Sequence, residues 1–357
     1  MTGRGIDQVL PHSVDPVLYE PYVKDARHYV QLAENVNGPI PRPVAYDYIW
    51  GDALLELERF RPVVRLINLE TSITTSAAHL PDKRIHYRMH PANVRCLTAA
   101  NIDCCALANN HTVDWGYPGL AETLATLKTA GLVGVGAGQN ISDASAPALF
   151  EQRDGGRVVI FSLGLSSSGI PAEWRATDLK PGLNLFVHES NELITRITQQ
   201  IEPYRRSGNV IIASIHWGAN WGYDIPSRQQ ELAHRLVDEA GVDIVHGHSS
   251  HHVKGIEVYR DRLILYGCGD LLTDYEGIDC QEAFRGELSL LYFVEVHPIT
   301  GQLLSLTMTP TQMRRFQLRR ARPEGSAWLE ATLNREGQRL NTRVQLDEVQ
   351  RLHLQWR

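Results

Sequence analysis

Short apolar runs recur along the first two thirds of the chain, and several end abruptly in polar side chains. "RLINLE" (65–70), "CCALAN" (104–109), "RVVIFSLG" (157–164), "NVIIASIHWG" (209–218) and "VDIVHGHS" (242–249) have the length and apolar continuity of buried strands. Between them, "YPGLAETLATLKTAG", "NELITRITQQIEPYRRSG" and "SRQQELAHRLVDEAG" carry apolar residues at three- and four-residue spacing, and each stops at Gly, which predicts amphipathic helices. Strand alternating with helix implies an α/β fold whose parallel sheet is covered by helices. After Gly255 the pattern changes to "GIEVYRDRLILYGCGD" and "LSLLYFVEVHPITGQLLSLTMTPTQ", strands joined by turn signals, which read as antiparallel. The tail adds an amphipathic segment, "EGSAWLEATLNREGQRL", and one apolar-alternating run, "TRVQLDEVQRLHLQW". No linker, repeat or low-complexity stretch interrupts the chain, so the expected organisation is a main domain over 1–320 with a helix-strand extension over 321–357 packed on it.

Composition narrows the function classes. With 43% hydrophobic and 21% charged residues in 357, the chain is ordinary globular material. Its net charge of −6 and the lack of any Lys/Arg run argue against a nucleic-acid or anionic-membrane surface, leaving small-molecule or polymer chemistry as the expectation. Cys96, Cys104, Cys105, Cys268 and Cys280 are odd in number and lack CxxC spacing, which suits reduced thiols. No apolar run reaches the roughly 18 residues of a membrane helix, and the opening lacks a signal-peptide core, so the expected location is the cytoplasm.

The polar residues at the strand ends form a series. Glu70 closes "INLE", Asn109, Asn110 and His111 follow "CCALA", His216 follows "IIASI", and His248, His251 and His252 sit in "HGHSSHH". In an α/β sheet, ligands bind beyond the carboxyl ends of the strands, so these scattered side chains are expected to meet in space. Carboxylate, carboxamide oxygen and imidazole suit Zn, Mn or Fe(II). Each member alone has a more ordinary role: Glu70 can cap a turn, Asn109 or Asn110 can cap the helix near Tyr117, and His216 can be a packed core imidazole. Three imidazoles within five residues at a strand end have little structural purpose, and there the metal reading leads.

The motifs "NLETSIT", "ALANNHTVDWG", "GVGAGQN", "SIHWGANWG" and "VHGHSSHHVKGIEVYRDRLILYGCGD", in this order up to about residue 275, resemble those of the CapA family of poly-gamma-glutamate capsule biosynthesis proteins, related to calcineurin-like metallophosphoesterases. The resemblance implies a metallophosphatase-like sandwich of two mixed β-sheets flanked by α-helices. It implies that Glu70, Asn110, His216, His248 and His251 are metal ligands, that His111 is the catalytic imidazole oriented by Asp114, and that Arg4 faces an anionic substrate. It further implies two divalent ions (Mn, Fe or Zn) in the complete site. The family usually opens with a strand ending in a "GDVM"-like motif whose Asp is a ligand, and this sequence starts at the Met of that motif. One firmly held metal is therefore expected here, unless a carboxylate such as Asp7 stands in. Asp270 in "GCGD" takes the place of the Asn common in the family, and "GHSSHH" that of "GHHPH". The implied chemistry is hydrolysis at phosphorus, on a small-molecule phosphoester or an anionic polymer substrate, linked to capsule polymer synthesis. A non-catalytic metal-binding accessory role and amide hydrolysis are the alternatives.

Overall fold

The computed structural model describes residues 1–81, 83–152, 155–278 and 282–356. The apolar runs fold into the sheets their patterns predict. Leu66–Asn68, Cys104–Ala106 and Val133–Val135 form a three-stranded parallel sheet with Cys104–Ala106 in the middle. A seven-stranded sheet has Arg157–Leu165, Val210–His216, Ile244–His248 and Arg262–Leu265 side by side and parallel. Its edges add Leu185–Phe186, and antiparallel Ala148–Glu151 and Ile256–Tyr259. In the larger sheet Arg157–Leu165 and Val210–His216 bury nearly every position, as strands covered on both faces must.

One face of the larger sheet takes the helices Asn191–Ile201 and Ser227–Arg235, whose Leu193, Ile197 and Leu232 pack with Phe161, Leu163, Ile211 and Ile215. Ser190 caps the first of these, its Oγ accepting the Leu193 amide at 3.3 Å. Ile197 is fully buried, and its truncation to Ala would cost about 2–5 kcal/mol. Cys104, Val135, Ala148, Val158 and Ile160 join the three-stranded sheet to the larger one. Helix Gly116–Thr129 sends Leu120 and Leu127 into the core with Ile6, Trp50 and Leu97.

The chain beyond Leu288 adds a further layer to the α/β sandwich. Leu288–Val296, Leu303–Arg314, Gln317–Arg320, Thr342–Leu346 and Leu352–Trp356 make a third, five-stranded antiparallel sheet. Its Leu290, Leu306, Met308 and Leu352 pack with Ile244, Ile256 and Leu265 of the central sheet and with Leu329 and Leu333 of helix Pro323–Gly337. The final alternating run is a hairpin, not one strand. Asp347 turns it: its side chain accepts the amides of Val349 and Arg351, and its own amide donates to the Arg351 carbonyl at 2.8 Å. The N-terminal helices Arg27–Asn37 and Ala53–Phe60 also lay outside the pattern reading. Among the described residues, no helix is long and apolar enough to cross a membrane.

This architecture brings the strand ends together. His216 and His248 are register partners at the last position of their parallel pairing, with Gly164 opposite His216 on the other side. In the smaller sheet, Asn68 and Ala106 are the last paired residues, so Glu70 and the Asn109–His111 loop emerge at the corresponding end.

Candidate active site

A chain of polar contacts crosses the end of the central sheet. Asn110 Oδ1 lies 3.1 Å from His216 Nε2, and His216 Nδ1 faces His248 Nδ1 at 2.8 Å. His248 Nε2 meets Ser214 Oγ at 3.0 Å, and the same hydroxyl reaches His246 Nδ1. Burial drives both His216 and His248 well below the ordinary imidazole range, and neighbouring imidazoles add to it, so both rings are neutral. Gly247 lets the strand Ile244–His248 pack close against its neighbours. A Cβ there would fall 2.4 Å from the Leu265 carbonyl and 2.7 Å from Trp217 Nε1.

The loop after Cys104–Ala106 carries the second group. Asn109 holds it by donating to Asn68 Oδ1 and the Leu69 carbonyl, while its Oδ1 accepts the His111 amide. Asn109 therefore braces the loop and does not cap the helix Gly116–Thr129, whose N-cap is Trp115 with no side-chain cap, and Asn110 is left for the site. His111 Nδ1 lies 2.7 Å from Asp114 Oδ2, whose carboxylate also accepts the Tyr87 amide. A carboxylate needs a donor, so Nδ1 carries the proton and Nε2 is the free nitrogen. Lys83 joins them: its ammonium donates to Asp114 Oδ1 and to the Asn110 carbonyl, and sits 3.1 Å from His111 Nδ1. Burial, with the Lys83 charge beside it, holds His111 down to about 4 despite Asp114. Burial favours the neutral form of Asp114 too, but His111 and Lys83 outweigh it and keep the carboxylate ionised. Lys83 was not singled out by sequence reasoning. It lies in the irregular stretch between Thr74 and Tyr87, where no periodicity points to it.

Glu70, His251 and Asp270 form the third group. His251 Nδ1 lies 2.8 Å from Asp270 Oδ2. Burial opposes a charged ring here, yet Asp270 and Glu70 together raise His251 above its ordinary range. Glu70 is buried with one hydrogen-bond partner among the described residues, Asn68 Nδ2 at 2.7 Å, and burial pushes its carboxyl upward against the pull of His251. The loop is held by Ser249, strained at φ 110°, whose hydroxyl donates to the Gly218 carbonyl. Trp221 packs on His251 and His252, and His252 stacks on Phe284, which gives His252 a place in an aromatic wall. The amine of Met1 lies alongside, donating to the Leu272 carbonyl at 2.7 Å.

The predicted residues thus fall into contacting sets: Asn110 with His216 and His248, His111 with Asp114, and His251 with Asp270, the residue that takes the place of the family's Asn. The sets are within electrostatic reach of one another, since His111, His251 and Lys83 each disfavour a charge on His216. Arg4 stands apart. Its guanidinium pairs with Asp274 at 2.6 Å and Glu20 at 2.8 Å, lies over the Tyr29 ring and is buried, so its charge is already matched by two carboxylates. Asp7 accepts the amides of Val14 and His90 and the Asn93 side chain, all outside the strand-end groups. Cys96, Cys104, Cys105 and Cys268 are free thiols, and Cys280 lies outside the described residues.

The donor set suits a divalent cation in kind. Asn110 Oδ1 and His216 Nε2, 3.1 Å apart, are spaced like adjacent ligands at roughly 2.0–2.2 Å from one ion. The buried, singly bonded Glu70 is a charge that a cation would compensate. Among the described residues, however, no three His, Cys, Asp or Glu side chains are already gathered around one point as a closed shell.

Comparison with known proteins adds a family. The model of the family "Bacterial capsule synthesis protein PGA_cap" matches residues 1–275. The "Probable polyglutamine synthesis accessory protein" of Mycobacterium tuberculosis (strain H37Rv) is 46% identical over 345 residues, 96% of this chain and 90% of that protein. The "Capsule biosynthesis protein CapA" of Bacillus anthracis is 31% identical over 54% of this chain and 45% of its own length. The "PGA biosynthesis protein CapA" of Bacillus subtilis is 30% identical over 54% and 48%.

Proposed function

The chain belongs to the bacterial capsule synthesis protein family, PGA_cap, and from that premise we propose that it is an accessory enzyme of polyglutamate-type polymer synthesis that hydrolyses a phosphoester with a divalent cation. The observation that carries the chemical half of this reading is the pairing of Asn110 Oδ1 with neutral His216 beside an anchored His111–Asp114 pair. Asn110, His216 and Glu70 would hold the cation, with His248 and His251 completing the set that the family resemblance implies. Bound there, a divalent ion supplies Lewis acidity and lowers the pKa of water.

The chain's own residues do the rest. Asp114 fixes the His111 ring through Nδ1, so Nε2 is the atom that can exchange a proton with the substrate. The ring is neutral near pH 7, so Nε2 first accepts the proton that the attacking water gives up and then passes it to the leaving oxygen, which returns the ring to its neutral form. Asn109 holds the loop backbone, and the buried surroundings exclude bulk water from the exchange.

One observation favours a second reading, a non-catalytic accessory role. Both ring nitrogens of His248 already have protein partners, Ser214 and His216. Turnover of an aryl phosphate by manganese-loaded protein separates the two. Hydrolysis that disappears in Asn110→Ala supports the enzyme. Bound metal without hydrolysis in the unaltered protein supports the accessory.

A further inference from the structure

Lys83 does more in this site than neutralise Asp114. Its ammonium has three N–H donors, of which one goes to Asp114 Oδ1 and one to the Asn110 carbonyl. The third lies toward His111 Nδ1 at 3.1 Å, but that nitrogen donates its own proton to Asp114 and has no lone pair to offer. Among the described residues, one donor therefore has no acceptor. Exposure points the same way: the Lys83 side chain is 20% exposed, against 8% for His111 and none for Asp114, so it is the member of the group that solvent or a ligand reaches. The ring of Trp174, 5.2 Å from Nζ, supplies a face but no hydrogen-bond acceptor. Arg4 shows the contrast, because its charge is closed off by two buried carboxylates.

We propose that Lys83 is a substrate-contacting residue, presenting its free N–H to an anionic oxygen, phosphoryl or carboxylate, of a molecule bound beside His111 Nε2. This rests on the reading of the strand-end groups as a substrate site. It extends that reading by requiring an anionic oxygen on the substrate side of Lys83, where a phosphoester or an acidic polymer carries one.

The test is calorimetric titration of the purified protein with inorganic phosphate and, separately, with the dipeptide γ-glutamylglutamate. Unaltered protein and Lys83→Gln are compared at matched melting temperature. A charge-assisted hydrogen bond gives about a 10- to 100-fold loss of affinity in Lys83→Gln. Loss in the phosphate arm identifies a phosphoryl contact, and loss in the dipeptide arm a carboxylate contact. If removing Lys83 alone unfolds the chain by stranding Asp114, the unaltered protein is compared instead with Asp114→Asn/Lys83→Gln, in which neither member of the pair is left charged, and the same loss is expected. Unchanged affinity for both anions, or binding of neither by the unaltered protein, overturns the proposal. A residue that only positioned His111 would lower kcat and leave both affinities alone. The two claims fail separately: Lys83-dependent anion binding without aryl phosphate turnover removes the hydrolase and keeps the contact, whereas turnover with Lys83-independent binding does the reverse.

Discussion

Two histidine–aspartate pairs lie in one site with almost the same contact and opposite chemistry. His111 and Asp114 meet at 2.7 Å, His251 and Asp270 at 2.8 Å, yet the first ring is held down to about 4 and the second is raised above its ordinary value. Burial opposes charge on both rings, so burial does not separate them. The neighbours do. Lys83 stands beside His111 and adds a positive charge, while Glu70 stands near His251 and adds a negative one. A carboxylate partner alone does not fix the protonation of a buried imidazole; the next charge out decides. The neutral ring can exchange a proton at Nε2, and the charged ring offsets two buried carboxylates.

Replacing each ring gives the largest expected divergence. His111→Ala should retain metal and lose about 10²–10⁴-fold in phosphoester hydrolysis, as expected for a lost acid–base group. His251→Ala should instead lower metal content, measured by elemental analysis. Equal behaviour of the two variants would break the distinction. Replacing the carboxylates comes next. Asp114→Ala strands the Lys83 ammonium and should cost about 3–5 kcal/mol in a denaturant melt. Asp270→Ala leaves a ring that can shed its proton, so its cost should stay near about 1–2 kcal/mol.

The smallest effect is the sharpest in sign. His111 binds fewer protons folded than unfolded between about 4 and 6.5, so its contribution is full above 6.5 and is lost as pH falls toward about 4. His251 has a raised value, so its contribution is full below 6.5 and is lost as pH rises through the folded value. Ring proton shifts followed by NMR should show His111 neutral at pH 6 and His251 charged there. Two rings titrating together would sink the comparison.

Much of this was legible in the sequence, for a physical reason. Strands buried on both faces read as unbroken apolar runs, so polar residues at their ends stand out, and Glu70, Asn110, His111, His216, His248 and His251 were found that way. Lys83 was not, because it lies in an irregular stretch and gains meaning only from Asp114, which packs on it from 31 residues away. Asp270 stands out in the sequence only as a departure from the family's Asn, because its role depends on contact with His251. Arg4 read as an anion-binding group, since nothing local reveals that Asp274, 270 residues on, closes it off. The terminal hairpin was read as one strand because its two arms share an alternating pattern, and the turn at Asp347 uses side-chain-to-amide bonds without Gly or Pro.

The central claim, that the strand ends form a metal-dependent hydrolytic site, is tested most directly by aryl phosphate turnover per bound metal. The unaltered protein and Asn110→Ala/His216→Ala would be measured side by side after manganese loading. The account predicts at least about one tightly bound ion and measurable turnover in the unaltered protein, with both lost in the variant. Turnover that survives in the variant, or a metal-free protein that hydrolyses at the full rate, would contradict it.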